Sequence, residues 1–345
     1  MYKTQEEILA QPVALEKTLS YFNDNKAQIE GFIQSQKFNK VVFLGCGSSY
    51  QLGKSAAFVL TELTGIQTAA IAGGDLMINF PKYTKLLENS MVVTVSRSGT
   101  TSEIINAIKK MRKEYSTPVI SITMKENSEL KGISDLTIEL PWAFDESVCQ
   151  TRNVTNMYAA EMLLNAIWCK NDKLYNEIAK TISTQKSFIE LYENDISNLA
   201  SLKHTNFVVL ADAELEGIAE EGALAFKEIC QLQSNYYHLL DVRHGPIVLI
   251  TEKTLVIAVL NPLDEQYQKD LIKDIKAKGA TVITISNKKE NIWGSDYNVT
   301  IGASNEFITW GIPFIFVPQI LSFALALING TNPDFPDGLN PYISL

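Results

Sequence analysis

The chain has 345 residues, 39 acidic against 30 basic, for a net charge of −9. With 46% hydrophobic residues it is too apolar for intrinsic disorder, and its length predicts two domains. Because it lacks the excess cations that displace phosphate counterions, we expect no nucleic-acid partner, although a small phosphorylated ligand needs only a local cradle.

Residues 1–37 are predicted to form an N-terminal helical segment. Apolar residues recur at helical spacing from about Thr4 to Gln36, and Pro12 stands near a break. The first residues lack the apolar stretch of a signal peptide, so we expect a cytoplasmic protein.

Residues 38–152 show the pattern of an α/β domain. Short apolar runs alternate with helical patterns, which predicts a parallel sheet covered on both faces in a three-layer α/β/α sandwich. The predicted strands are Lys40 to Leu44, Met91 to Val95, Val119 to Ile122 and Leu136 to Leu140.

The same order returns in residues 204–329, after connecting helices predicted over 153–203 and before a tail at 330–345. Val119 aligns with Val282 at an offset of 163 residues, and Met91 aligns with Leu255 at an offset of 164. A nearly constant offset predicts two copies of one sandwich.

One segment is apolar enough to be considered as a membrane span. It runs from Gly311 to Ile328, but Pro313, Pro318 and Gln319 interrupt it and no basic residues flank it. We therefore expect a buried core helix and no membrane partner.

Cysteines and histidines give no support for a cofactor. The four cysteines are widely spaced without a C-x-x-C pair, which favours free thiols in a reducing compartment. The three histidines contain no H-x-x-x-H pattern, so we expect neither a metal nor another cofactor.

Two hydroxyl-rich loops follow strands of the first copy, at Gly45 to Ser49 and at Ser96 to Thr101. The second copy has Ala211 to Leu215 and Leu260 to Pro262 at the matching places, so the fold does not require the hydroxyls. Carboxyl ends of parallel strands and helix N-termini form anion sites, and these loops are therefore predicted to cradle a phosphate.

A structural explanation competes with the cradle. Thr100 and Glu103 have the spacing of a capping box, which would explain one loop but not two on the same sheet edge. The sequence contains no Walker P-loop, and Gly45-x-Gly47 lacks the third glycine of a dinucleotide site.

Five motifs occur in the order typical of double sugar isomerase (SIS) domain proteins, and the chain resembles that family over nearly its whole length. The family includes the isomerase half of glucosamine-6-phosphate synthase and free-standing phosphosugar isomerases, deaminases and fructosamine-6-phosphate deglycases. The motifs are Cys46 to Tyr50, Ser96 to Thr101, Glu146 to Thr155, Lys227 to Ile229 and Arg243 to Pro246.

The resemblance implies two repeated SIS domains and a phosphosugar substrate held mainly by the first. The residues that it assigns to the phosphate are Ser48, Ser49, Ser96, Arg97, Ser98 and Thr101. Gly47, Glu146 and Thr151 are implied as further substrate contacts.

The resemblance also implies that Glu228 moves a proton between C1 and C2 of the sugar. A positioned carboxylate suits that chemistry, and partial burial on an apolar helix face would make it a better base. The alternative is a surface carboxylate paired with Lys227 or another helix residue.

His244 matches the histidine that helps to open the sugar ring, reaching from the neighbouring subunit of a homodimer or higher homo-oligomer. A loop histidine before Gly245-Pro246 can donate or accept a proton near neutral pH. The alternative is a histidine that only hydrogen-bonds to backbone. His204 and His238 receive no role.

Three positions depart from the synthase pattern. Pro341 stands where a C-terminal lysine would fall, Ala225 replaces a helix lysine, and Asp241 replaces a glutamate. We therefore expect proton shuttling without a lysine–substrate imine, and substrate nitrogen becomes the alternative electron sink. The chain begins with the sugar-binding portion, without a nearby cysteine, so glutamine-driven amination is not expected.

The predicted function is a C1–C2 proton shift on a hexose 6-phosphate, favouring a substrate with nitrogen at C1 or C2, in which deamination or deglycation follows. The alternative is a noncatalytic phosphosugar sensor. A sensor would need a partner-binding module, whereas about 37 residues without a basic recognition helix precede the first strand.

Overall fold

A computed structural model describes residues 2–302 and 304–340. The described chain divides into two compact units, each built around one sheet. One unit contains residues 10–146 and 150–182, and the other contains residues 2–9, 147–149, 183–302 and 304–339.

Helices alternate with strands along the chain. The helices are α1 (Lys3–Leu9), α2 (Gln11–Ser35), α3 (Ser48–Thr64), α4 (Gly73–Leu87), α5 (Ser102–Glu114), α6 (Arg152–Trp168), α7 (Asp172–Ser197), α8 (Glu216–Ile229), α9 (Glu265–Ala277) and α10 (Gly311–Asn329). The strands are β1 (Lys40–Gly45), β2 (Gln67–Ala72), β3 (Ser90–Ser96), β4 (Val119–Thr123), β5 (Leu136–Glu139), β6 (Asn206–Leu210), β7 (Gln233–Tyr237), β8 (Thr254–Val259), β9 (Thr281–Ser286) and β10 (Tyr297–Thr300).

Both sheets are five-stranded and parallel, in the orders β2-β1-β3-β4-β5 and β10-β9-β8-β6-β7. Read from its other edge, the second sheet runs β7-β6-β8-β9-β10, so its strands follow the same order as β2-β1-β3-β4-β5 in the first sheet. This agreement confirms the predicted pair of α/β copies. In each sheet the inner strands are continuous apolar runs because helices cover both faces. The first unit packs its sheet against α4 and α5, and the second packs its sheet against α9.

The sequence did not predict β2 or β7. Each pairs on one side only, and several of its residues are partly or fully exposed, so neither shows the apolar run of an inner strand. The apolar run from Ile247 to Ile250 has a strand-like composition but does not form a strand. Pro246–Leu249 is a 3₁₀ helix in which Val248 is 71% exposed.

The long apolar segment near the C-terminus is a core helix, as its interruptions predicted. Residues 307–329 are long and apolar enough to cross a membrane, but 83% of that apolar window is buried within the protein. In its unit α10 packs on α8, where Gly222 faces Phe314 and Pro318 so closely that a side chain would crowd them.

Candidate functional site

The carboxyl ends of β1 and β3 lie side by side in the first sheet and form a switch point. The chain leaves β1 toward β2 on one side, while β3 continues toward β4 on the other. Ligands bind in the crevice outside such a point. A cavity of about 70 Å³, room for a few water molecules or a small anion, opens there. Its lining residues are Cys46, Ser49, Val95, Ser96, Arg97, Ser98, Thr101, Ile104 and Gln150.

Hydroxyl groups fold the loop after β3 around this cavity. The Ser96 and Thr101 hydroxyls lie 2.9 Å apart, and the Gly99 N–H donates to Ser96 Oγ at 3.1 Å. Ser98 Oγ accepts from both the backbone N–H and the hydroxyl of Thr100, at 3.2 and 3.1 Å. The loop's hydroxyls are therefore ordered by the loop itself, and Ser96, Ser98 and Thr101 all line the cavity.

Two glycines permit this geometry. Gly99 has a φ of +61°, and a Cβ there would lie 2.4 Å from Ser128 Cβ. A Cβ on Gly45 would lie 2.4 Å from the backbone carbon of Ser49. The end of β1 can thus approach the first turn of α3, which brings Ser49 to the cavity.

The predicted capping box does not form. Thr101 is the residue that precedes α5, and it makes no side-chain capping hydrogen bond. Thr100 instead donates its hydroxyl to Ser98. The hydroxyls of this loop bond to one another and to the loop backbone, so the simpler capping explanation fails at this position.

The electrostatics of the cavity combine one buried cation with neutral donors. Arg97 is 7% exposed and lines the cavity. Cys46 also lines it, and burial, reinforced by the charge of Glu103, raises the pKa of its thiol. The thiol therefore stays protonated at neutral pH, which makes it a poor nucleophile.

Not every predicted contact residue lines the cavity. Gly47 (φ +55°) precedes α3, and Ser48 begins that helix, so both lie on the correct edge without reaching the cavity wall. Glu146 is exposed, and Thr151 is fully buried at the start of α6. The neighbour that reaches the cavity is Gln150.

Sequence reasoning missed Gln150 and Asp145, which flank the motif positions that it selected. Asp145 Oδ2 accepts from the backbone N–H groups of Thr151 and Asn153 at 2.8 and 3.0 Å, and Oδ1 lies 3.4 Å from Arg152 Nε. This buried carboxylate caps α6 and fixes the turn that presents Gln150. Its place just before the motif was the available clue.

Glu228 lies in the last turn of α8, within the second unit. It is half-buried, while its neighbour Lys227 is exposed. This intermediate exposure is the environment that the sequence predicted for a base. Ala225, at the position of the family's helix lysine, is buried in the same helix.

His244 ends a one-turn 3₁₀ helix, Asp241–Arg243, in the second unit. Its side chain is exposed, and its backbone N–H donates to the Asp241 carbonyl at 2.8 Å. Gly245 follows with a φ of +128°, which permits the sharp turn into the next 3₁₀ helix. Pro341, the proposed replacement of the C-terminal lysine, lies outside the described residues.

Comparisons with known proteins agree with this architecture. The SIS domain matches residues 33–166 and 203–329. A curated relative, glutamine–fructose-6-phosphate aminotransferase (isomerizing) from Chlamydia abortus, is 26% identical over 356 residues. The match covers 98% of this chain and 58% of the relative, so the chain spans little more than half the relative's length.

Two solved structures share the fold along nearly their entire length. Glucosamine-6-phosphate deaminase from Thermotoga maritima is 27% identical with a TM-score of 0.81, covering 99% of this chain and 100% of its own. Tagatose-6-phosphate ketose/aldose isomerase from Escherichia coli is 24% identical with a TM-score of 0.84, covering 99% and 97%. The second likeness bears on the fold alone.

Proposed function

The chain belongs to the SIS domain family, and from that premise we propose that it is an enzyme that shifts a proton between C1 and C2 of a hexose 6-phosphate. We further propose that the sugar carries nitrogen at C1 or C2, so that hydrolysis of the resulting imine releases ammonia or an amine. Both 26–27% identical relatives named above act on sugar 6-phosphates, and each is named for an amino-sugar reaction.

The observation that carries this proposal is the convergence of four hydroxyl-bearing residues and one arginine on a single small cavity. Ser49, Ser96, Ser98 and Thr101 supply neutral donors, and Arg97 supplies positive charge that a phosphate can share in charge-assisted hydrogen bonds. The sister loops of the second unit lack these groups. A cradle found in one copy alone marks ligand binding better than it marks a requirement of the fold.

Glu228 is proposed as the base that removes and returns the carbon-bound proton. In an open-chain 2-amino-2-deoxyaldose, loss of the C2 proton gives an enolamine, and protonation at C1 gives the imine of the ketose. Water then adds to C2, and ammonia leaves, so amino sugar phosphate plus water yields ketose phosphate plus ammonia. For a sugar with amine at C1, the proton moves from C1 to C2, and hydrolysis releases the amine and an aldose phosphate.

His244 is proposed as the acid–base group for ring opening, contributed to the site by a second copy of the chain. Its exposure leaves the imidazole accessible for such a role. A neutral imidazole can take the anomeric hydroxyl proton while its protonated form returns one to the ring oxygen.

The test is product analysis after incubation with glucosamine 6-phosphate, a fructosamine 6-phosphate and fructose 6-phosphate. We expect a ketose phosphate with ammonia, or an aldose phosphate with free amine, from one of the first two. Conversion of plain fructose 6-phosphate alone would reject the nitrogen preference and keep the isomerase.

Two substitutions on α8 separate catalysis from structure. Glu228→Gln should abolish turnover while leaving substrate affinity within about threefold, because the amide keeps the shape and loses the base. Lys227→Gln is the matched control and should remain active. Equal losses in both variants would indicate that Glu228 only pairs with its neighbour. Binding without turnover by the wild type would favour the sensor.

A further inference from the structure

Asp212 lies in the loop after β6, the second-unit counterpart of the Gly45 to Ser49 loop, which is one of the two loops that line the cavity in the first unit. Where the first copy has Cys46, the second has this aspartate. Its carboxylate is turned toward the chain that leaves β7. Asp212 Oδ1 accepts from the Leu239 N–H at 3.0 Å and lies 3.1 Å from His238 Nδ1.

The tautomer of His238 follows from these partners. Since an ionised carboxylate only accepts hydrogen bonds, Nδ1 carries the proton toward Asp212. The Tyr236 hydroxyl, 3.1 Å from the same nitrogen, donates instead to the Ala211 carbonyl at 3.0 Å. Burial and the nearby carboxylates of Glu216, Asp212 and Glu220 raise the pKa of Tyr236, so its hydroxyl keeps that donor proton.

The anchored segment is the one that carries His244. From His238 the backbone continues through hydrogen bonds of Val242 N–H to the His238 carbonyl (3.2 Å) and of His244 N–H to the Asp241 carbonyl (2.8 Å). At its far end, Arg243 Nε and Nη2 contact Asp274 Oδ2 on α9 at 2.9 and 2.7 Å.

The segment is therefore held by a carboxylate at each end. His244 itself is exposed, so the anchors at Leu239 and Arg243 lie on either side of an exposed side chain.

We propose that Asp212 is a positioning residue for His244, acting through the Leu239 N–H and His238. This rests on the proposed function, in which His244 moves a proton during ring opening. Because a small misplacement of a catalytic group can cost about 100-fold in rate, losing the anchor should lower kcat more than it raises KM. The loop after β6 lacks the hydroxyls of its first-copy equivalent. In this proposal it supports the neighbouring turn that carries His244 instead of binding a phosphate.

The experiment compares Asp212→Ala, Asp212→Asn and His238→Ala with the wild type and with Asp270→Asn, a control at an exposed aspartate on α9. Steady-state kinetics use whichever of glucosamine 6-phosphate and fructosamine 6-phosphate the wild type converts. Hydrogen exchange is measured over residues 238–249. Thermal unfolding confirms that each variant is folded.

Asp212→Ala should lower kcat by about 10- to 100-fold with KM within about threefold, and should speed exchange over 239–244. Asp212→Asn should recover most of the rate because its amide oxygen still accepts from Leu239. His238→Ala should show a smaller loss, and it carries the test if Asp212→Ala does not fold.

Wild-type kcat in Asp212→Ala would overturn the inference and leave the proposed function standing. If Asp212→Ala does not fold, wild-type kcat in His238→Ala would overturn it in the same way. An inactive wild type would instead reject the proposed function, and unchanged exchange in Asp212→Ala would then reject the anchor independently.

Discussion

Replacing Gly99 with alanine is the sharpest perturbation of the cavity loop. The residue has a φ of +61°, which costs a non-glycine residue about 1–2 kcal/mol. The new Cβ would also lie 2.4 Å from Ser128 Cβ and 2.8 Å from Thr123 Oγ1. Because a Cβ is fixed to its backbone, rotation of the serine hydroxyl cannot relieve that overlap, and the backbone must shift.

Overpacking of this kind costs about 1–3 kcal/mol, so Gly99→Ala should lose roughly 2–5 kcal/mol in its present geometry. A shift of the loop would relieve part of this cost. It would also disturb the bonds from Gly99 N–H to Ser96 Oγ (3.1 Å) and from Leu130 N–H to the Gly99 carbonyl (3.0 Å). We therefore expect a lower free energy of unfolding and at least about tenfold weaker binding of glucosamine 6-phosphate.

The assays are urea unfolding and isothermal titration calorimetry with glucosamine 6-phosphate. Gly31→Ala is the matched control, since a Cβ on this exposed helical residue would meet nothing within 4 Å. It should gain about 0.5–1 kcal/mol and bind as the wild type does. Wild-type stability and affinity in Gly99→Ala would refute the argument that this loop conformation forms the site.

Three further predictions follow from buried groups. Arg97→Met keeps the apolar stem and removes the charge, so calorimetry should show affinity for the phosphosugar falling about 10- to 100-fold. Glu161 is fully buried with neither carboxylate oxygen hydrogen-bonded, and burial raises its pKa well above 4.5. As pH rises above about 4.5, the unfolded chain loses this proton while the folded protein keeps it, so the wild type becomes less stable. Urea unfolding should therefore show Glu161→Met gaining free energy of unfolding relative to the wild type as pH increases. Burial, reinforced by the charge of Lys203, lowers the pKa of His204 from 6.5 to about 4. Only the unfolded state takes up a proton between these values, so the wild type should lose up to roughly 3 kcal/mol relative to His204→Gln as pH falls through that range.

Each of these has a contradicting result. Unchanged affinity in Arg97→Met would remove the guanidinium from the phosphate site. A constant stability difference across pH, for either Glu161→Met or His204→Gln, would show that the side chain does not change its proton affinity on folding. Each comparison uses wild type and variant at the same pH, so titration of the many surface carboxylates cancels.

The repeat could be predicted from sequence because inner strands of parallel sheets are continuous apolar runs. For that reason the strand patterns of the two copies could be aligned. Met91 and Leu255, which are 164 residues apart, are each the second residue of their strand, in β3 and β8. Edge strands β2 and β7 carry no such pattern, since one side of each lacks a neighbour. Their existence is decided by pairing with β1 and β6, which is a tertiary effect.

The candidate site was predictable where composition differed between the copies. The hydroxyl loops stood out because the second copy lacks them. Gln150 and Asp145 did not stand out in the sequence. Their roles depend on the turn before α6, which Asp145 caps and which brings Gln150 to the cavity beside the loops after β1 and β3. The capping-box alternative at Thr100 fitted the spacing equally well, and only the helix start after Thr101 decides against it.

The most direct test of the account is hydrogen exchange at the substrate's carbon atoms in heavy water. Wild-type protein incubated with glucosamine 6-phosphate or a fructosamine 6-phosphate should place deuterium at C1 or C2 of the product. Glu228→Gln should bind the same sugar phosphate and incorporate none. Deuterium incorporation by Glu228→Gln at the wild-type rate would contradict the central claim that this carboxylate moves the proton.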